Sequence, residues 1–179
     1  MGIIFRETKL KGAFVIEPEK FPDDRGFLAR SFSLTEFEEH GLDPHMAECN
    51  ISFSKKQYTL RGMHFQKNEH AQAKLVRCTK GSVFDVIIDL RPDSPTFKQW
   101  IGVKLTEENR LLLYVPKGFA HGFQTLEDDT EVFYQISNVY KRESEGGVRW
   151  NDPCFGIEWP ATDGLTINWR DQNYEDFKG

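Results

Sequence analysis

Apolar and polar residues alternate along much of this chain with the period of two that a half-buried β-strand requires, in short bursts closed by turn residues. From residue 73 onward the bursts are AKLVRC at 73–78, SVFDVIIDL at 82–90, WIGVKL at 100–105, RLLLYV at 110–115, FAHGFQTL at 119–126 and TEVFYQIS at 130–137. Between them stand Lys80-Gly81, RPDSP at 91–95, EEN at 107–109, Pro116-Lys117-Gly118 and EDD at 127–129, all turn formers. A recurrence of roughly ten residues is that of a sandwich or barrel. No helix-length amphipathic pattern intervenes, which argues against a parallel sheet with helical crossovers. Upstream, AFVIE at 13–17 predicts a strand ended by Pro18, PDDRG at 22–26 a turn, and Phe27 to Phe32 a second extended run. ECNISF at 48–53 and TLRGMHFQ at 59–66 predict two more strands. One helical turn is expected at Ser33 to His40, with Ser33 or Thr35 as its cap, Glu36 complementing the N-terminal dipole and Gly41 closing it,. The pattern predicts an all-β protein, an antiparallel double-sheet jelly roll or closed barrel with short peripheral helices.

Composition agrees: 15 Phe, 4 Trp and 5 Tyr beside 14 Gly and 8 Pro favour strands and turns,. With no internal repeat or linker, the 179 residues are expected to form one domain, less regular from about residue 140,. Lys and Arg total 23 against 28 Asp and Glu, a net charge of −5. No general basic field exists for nucleic acid or an anionic membrane, and an anionic ligand must be met by a local cluster. Cys49, Cys78 and Cys154 are odd in number and widely spaced, fitting neither a disulfide framework nor a zinc site and suiting a reducing cytoplasm,. No apolar run reaches signal-peptide length at the N-terminus or the about 18 residues of a membrane span elsewhere,.

Candidate chemistry centres on 59–66. In a regular strand Arg61 and His64, three apart, point to opposite faces. Gly62 lies between them, and glycine within a strand often marks a bulge. A bulge would aim guanidinium and imidazole into one cavity. The plainer alternative is a partly buried core histidine beside a surface arginine.

Alternation bears on other polar residues. Lys74 shares a face with Val76 and Cys78, and Tyr134 with Val132 and Ile136, so both are inward candidates if those faces are interior. A snorkelling surface lysine and a packing aromatic with its hydroxyl at the rim are the alternatives. His121, in KGFAHGF, sits between glycines that permit close backbone approach at a cavity mouth,. His40, His45 and His70 lie in polar, turn-like surroundings and receive no role. A histidine base, a lysine cation, a tyrosine hydroxyl and arginines, without a nucleophile, suit proton abstraction next to a carbonyl. The base would need a carboxylate to orient it and the enolate oxygen a fixed positive partner. The residues alone leave that carboxylate open.

LRGMHFQ at 60–66, QAKLVRCTKGSVFDVIIDLRPDSPTF at 72–97, VPKGFAHGFQTL at 115–126 and VRWNDPCFGIEWP at 148–160 together resemble the dTDP-4-dehydrorhamnose 3,5-epimerase family. The resemblance runs from about residue 3 to the Arg170-Asp171 pair. It implies a cupin-type jelly roll, a homodimer, no metal or organic cofactor, and epimerisation of a nucleotide-linked 4-keto-6-deoxyhexose. By position it implies His64 as base, Asp171 as its partner, Lys74 beside the keto oxygen and Tyr134 as the opposite-face acid. Arg25, Asn50, Arg61, His121, Glu145 and Arg170 match substrate-contacting positions, the basic ones suited to a diphosphate. Arg30 and Glu48 depart from the family's usual glutamate and glutamine; they either alter recognition of the nucleotide or sugar or are neutral, even pairing with each other. A metal-dependent cupin would supply H-x-H, whereas His64 is followed by Phe65 and Gln66; His64, His121 and Glu48 are then the remaining ligand candidates. Further alternatives are a single-centre epimerase, a ketoisomerase on a similar fold and a non-catalytic cupin that binds sugar nucleotides.

Overall fold

The computed structural model describes residues 2–178. Fourteen strands and two short α-helices occur among them: β1 Ile3–Glu7, β2 Phe14–Pro18, β3 Lys20–Asp23, β4 Gly26–Ala29, α1 Leu34–Glu39, β5 Glu48–Ser54, β6 Thr59–Gln66, β7 Lys74–Lys80, β8 Ser82–Asp89, β9 Trp100–Thr106, β10 Leu112–Val115, β11 Phe119–Thr125, β12 Thr130–Ile136, β13 Glu145–Gly147, β14 Thr166–Ile167 and α2 Trp169–Gln172. One six-stranded sheet runs β1-β2-β10-β7-β12-β5, and the other runs β13-β6-β11-β8-β9 with β14 added beside β6. All pairings are antiparallel except β14 with β6. The architecture is the jelly-roll sandwich that the alternation predicts.

The sheets meet through the faces that alternation marks as apolar. Val76, Cys78, Leu113 and Val132 from the first sheet pack against Val83, Ile87, Leu105, Phe119 and Phe123 from the second. Lys74 and Tyr134 belong to these inner faces, so the inward alternative holds for both. On the outside of the first sheet, α1 covers the β1, β2 and β10 end. Ser33 accepts the Glu36 N–H at 3.4 Å as N-cap, and Gly41 follows at φ +69°. Phe37 from α1 is wholly buried against Phe5, Phe32 and Tyr114.

Several elements escape the sequence pattern. β1 lies in the unassigned N-terminus, and Pro22 and Asp23 of the expected turn are drawn into β3, which pairs with β4 as an exposed hairpin. Beyond residue 140 the chain adds β13, β14 and α2, which gather along β6. None of these three is long enough to show a period.

Phe37 supplies a test of the outer layer. Phe37→Ala should lower unfolding stability by about 3–5 kcal/mol in a urea titration while leaving the cavity intact. A loss under about 1 kcal/mol would mean that the outer cluster does not anchor α1.

Candidate functional site

Between the sheets, at the end where β5, β6, β7, β11 and β12 converge, lies a cavity of about 540 Å³. One wall carries Glu48, Asn50 and Ser52 from β5, Lys74 from β7 and Tyr134 from β12; the other carries Arg61 and His64 from β6 and His121 from β11. Tyr140, Glu145, Asn168, Arg170 and Asp171 close one side.

The bulge anticipated at Gly62 is present. Across β6 and β11, His64 pairs with His121 and Arg61 with Phe123, so three residues of β6 span two of β11. That extra residue puts Arg61 and His64 on one face. Gly62 has φ +125°, and a side chain there would meet the Gly122 Cα at 2.5 Å. A side chain on Gly122 would in turn meet the Arg61 carbonyl at 2.6 Å. The bulge therefore requires glycine on both strands.

His64 Nε2–H donates to Asp171 Oδ1 at 2.8 Å, and the Gly62 N–H donates to Asp171 Oδ2 at 3.1 Å. Asp171 is fully buried, and Asn168, the N-cap of α2, accepts its backbone N–H at 2.8 Å. Burial pushes the Asp171 carboxyl up, but the bonds from His64 and Gly62 and the nearby Arg170 outweigh this and hold it below its ordinary value,. With Nε2 engaged, Nδ1 is the ring nitrogen left to act as a base.

Lys74 is enclosed, and burial draws its ammonium down from the ordinary lysine value to about 8, against the opposing pull of Asp85 and Glu145,. Burial also raises the Tyr134 phenol, with Arg61 opposing and Glu48 adding. It is a protonated group at neutral pH. Arg61 is steadied by donation to Ser54 Oγ at 3.3 Å and to the Phe53 carbonyl at 3.1 Å. Glu145 accepts from Tyr140 at 2.6 Å and from Arg170 at 2.8 Å.

Ten of the twelve residues singled out from sequence thus line one cavity: His64, Asp171, Lys74, Tyr134, Glu48, Asn50, Arg61, His121, Glu145 and Arg170. Arg25 and Arg30 do not. Arg25 sits at the tip of the β3–β4 hairpin, paired with Asp23. Arg30 pairs with Glu36 of α1 at 3.3 Å, and Glu48 accepts the Tyr140 N–H at 3.4 Å, so the suggested Arg30–Glu48 pair does not form. Local charge decides this, because Glu36 lies on the adjoining helix whereas Glu48 faces the cavity. No cluster of three or more His, Cys, Asp or Glu side chains with metal-holding geometry occurs among the described residues. The sequence reading missed Asp85, Tyr140 and Asn168. Asp85 had a signal, as the one carboxylate inside the apolar run SVFDVII; the other two are brought in by irregular chain.

The profile of the dTDP-4-dehydrorhamnose 3,5-epimerase family matches residues 7–179. A dTDP-4-dehydrorhamnose 3,5-epimerase of Salmonella typhimurium is 48% identical over 159 residues, covering 88% of this chain and 86% of the relative. Among solved structures, the dTDP-4-dehydrorhamnose 3,5-epimerase of Elizabethkingia anophelis superposes with a TM-score of 0.96 at 43% identity, covering 98% of this chain and 97% of that one. A Legionella pneumophila dTDP-6-deoxy-D-glucose-3,5-epimerase in complex with dTDP-4-keto-L-rhamnose superposes with a TM-score of 0.88 at 37% identity, covering 95% and 90%.

The lowered lysine can be checked without a substrate. At pH 8 a limiting amount of an amine acylating reagent should label Lys74 ahead of the surface lysines in a peptide map, with half-maximal reactivity at about pH 8. Half-maximal reactivity near the ordinary lysine value would contradict the enclosed, partly compensated ammonium.

Proposed function

The chain belongs to the dTDP-4-dehydrorhamnose 3,5-epimerase family, and from this we infer that it epimerises a nucleotide-linked 4-keto-6-deoxyhexose, turning dTDP-4-dehydro-6-deoxy-D-glucose into dTDP-4-dehydro-L-rhamnose. The observation that carries the residue roles is the placement of the His64–Asp171 pair and the Tyr134 phenol on opposite walls, with an enclosed ammonium in the same cavity. His64 Nδ1 takes the proton from the carbon next to the ketone, and the bond's electron pair moves onto the carbonyl oxygen as an enolate. Asp171 stabilises the resulting imidazolium. The Lys74 ammonium stabilises the enolate oxygen. Tyr134 delivers a proton to the opposite face of the same carbon, which inverts it; the phenolate then recovers a proton from solvent and the His64 imidazolium releases its own there. Arg61 stabilises that phenolate and, with Arg170, meets the diphosphate. Asn50, His121, Glu145 and Glu48 contact the rest of the substrate.

The assembly is a homodimer in this reading. Ile51 and Phe53 on the outward face of edge strand β5 are 67% and 44% exposed, and Phe27 and Leu28 of the hairpin are 48% and 61% exposed. Such surfaces favour a partner. A second copy also gives Arg25, which lies outside its own cavity, a substrate to reach. The three free cysteines among the described residues suit a reducing cytoplasm,, and no helix among those residues is long and apolar enough to cross a membrane.

Proton NMR in heavy water with dTDP-4-keto-6-deoxyglucose tests the reading. Wild type should exchange the protons at carbons 3 and 5; no exchange, with CDP- and GDP-linked analogues equally inert, would overturn it. His64→Ala should reduce exchange at both carbons by about 10²–10⁴-fold, whereas Tyr134→Phe should cut product formation comparably yet keep part of the exchange. Equal loss of exchange in both variants would contradict the two-face assignment. kcat/KM should fall above about pH 8, as Lys74 loses the proton that makes it a cation,. By light scattering the protein should have twice the monomer mass, and a monomer that retains full activity would contradict the dimer.

A further inference from the structure

Asp85 has no part in the chemistry above, yet it is a fully buried carboxylate on β8 beside the cavity. Both of its oxygens lie 3.0 Å from His121 Nε2. An apolar residue of similar size would be cheaper in such a place, since a buried charge is tolerated only when paired and hydrogen-bonded. Its placement therefore calls for an account beyond packing.

Two consequences follow from the geometry. A carboxylate only accepts, so Nε2 carries the ring hydrogen and Nδ1 is left with a lone pair. Nδ1 makes no hydrogen bond among the described residues, and the one buried side-chain nitrogen or oxygen lacking a partner among them is Arg77 Nε. His121 Nδ1 therefore reaches open space, in a side chain that lines the cavity. Burial, with Lys74 and His64 close by, holds the imidazole down and neutral, although Asp85 pulls the other way. The second consequence concerns Lys74. Lys74 shares the cavity with His121 from β11, His64 from β6, Tyr134 from β12 and Glu145 from β13, and Asp85 from β8 lies behind the His121 ring that it bonds; of these Asp85 and Glu145 favour the charged form of Lys74.

We propose that Asp85 is a positioning residue for the epimerisation: it fixes His121 in the tautomer that offers Nδ1 as an acceptor to a sugar hydroxyl, and it supplies the counter-charge beside which the Lys74 ammonium meets the enolate oxygen. This rests on the epimerase reading above. Asp85 does not touch the substrate; it acts through His121 and through the field at Lys74. The two histidines thereby divide the work, His64 with Asp171 as the pair that moves a proton and His121 with Asp85 as the pair that does not.

Asp85→Asn tests this, because it keeps the shape and removes the charge. In the heavy-water assay kcat should fall at least about tenfold with KM changed less than about twofold. The basic limb of kcat/KM should move to lower pH, since Lys74 has lost an anion that favours its protonated form. An unmoved limb, or a wild-type kcat, would overturn the proposal. Nitrogen NMR of the wild-type histidine rings requires no variant and holds if Asp85→Asn fails to fold. His121 should show Nε2 protonated and Nδ1 bare at neutral pH, and a protonated Nδ1 would overturn the proposal. Absence of wild-type exchange with every nucleotide sugar would instead count against the epimerase reading, leaving the His121 tautomer to decide the positioning claim.

Discussion

An ammonium enclosed between two β-sheets is the constraint on which this molecule depends. Desolvation of Lys74 is unfavourable unless anions stand close, and Asp85 and Glu145 supply them from different strands. Its ammonium makes no hydrogen bond among the described residues and belongs to the lining of the cavity. The apolar sandwich at the other end of the molecule, from Leu105 and Val83 to Leu113, gives the rigidity that keeps these charges from collapsing onto one another,.

The same logic organises the remaining polar groups. Three of the cavity side chains are tethered on one side and open on the other. Asp171 holds His64 by Nε2, Ser54 and Phe53 hold Arg61, and Glu145 holds Arg170. Each tether spends one hydrogen-bonding direction on the protein and leaves another for the ligand, and so the cavity is oriented before any substrate arrives. Against a net charge of −5, two guanidinium groups and an ammonium gather in one cavity.

Backbone geometry does as much as side-chain chemistry. One extra residue in β6 turns Arg61 and His64 to the same face, and the approach of Gly62 to Gly122 makes room for it. The outer hairpin and the bare face of β5 are the counterpart on the surface, where the fold leaves apolar groups uncovered,.

The sequence by itself determined the strands from 73 to 137 and the capped helix at Ser33, because period, turn chemistry and capping are written in neighbouring residues; it marked Lys74 and Tyr134 only as candidates for the interior, and the packing of the two sheets decided for both. It also singled out the glycine that marks the bulge, since a break in strand pattern is local. Tertiary structure alone decided what touches what. Asp171 reaches His64 from 107 positions away, through a four-residue helix too short to leave a period. Arg30 turned to Glu36, and Asp85 found His121, for the same reason: the partner of a charge depends on which strands the sheet order makes neighbours. β13 and β14 exist only because β6 presents its backbone to them, and residues of so little intrinsic pattern take their structure from the edge they meet.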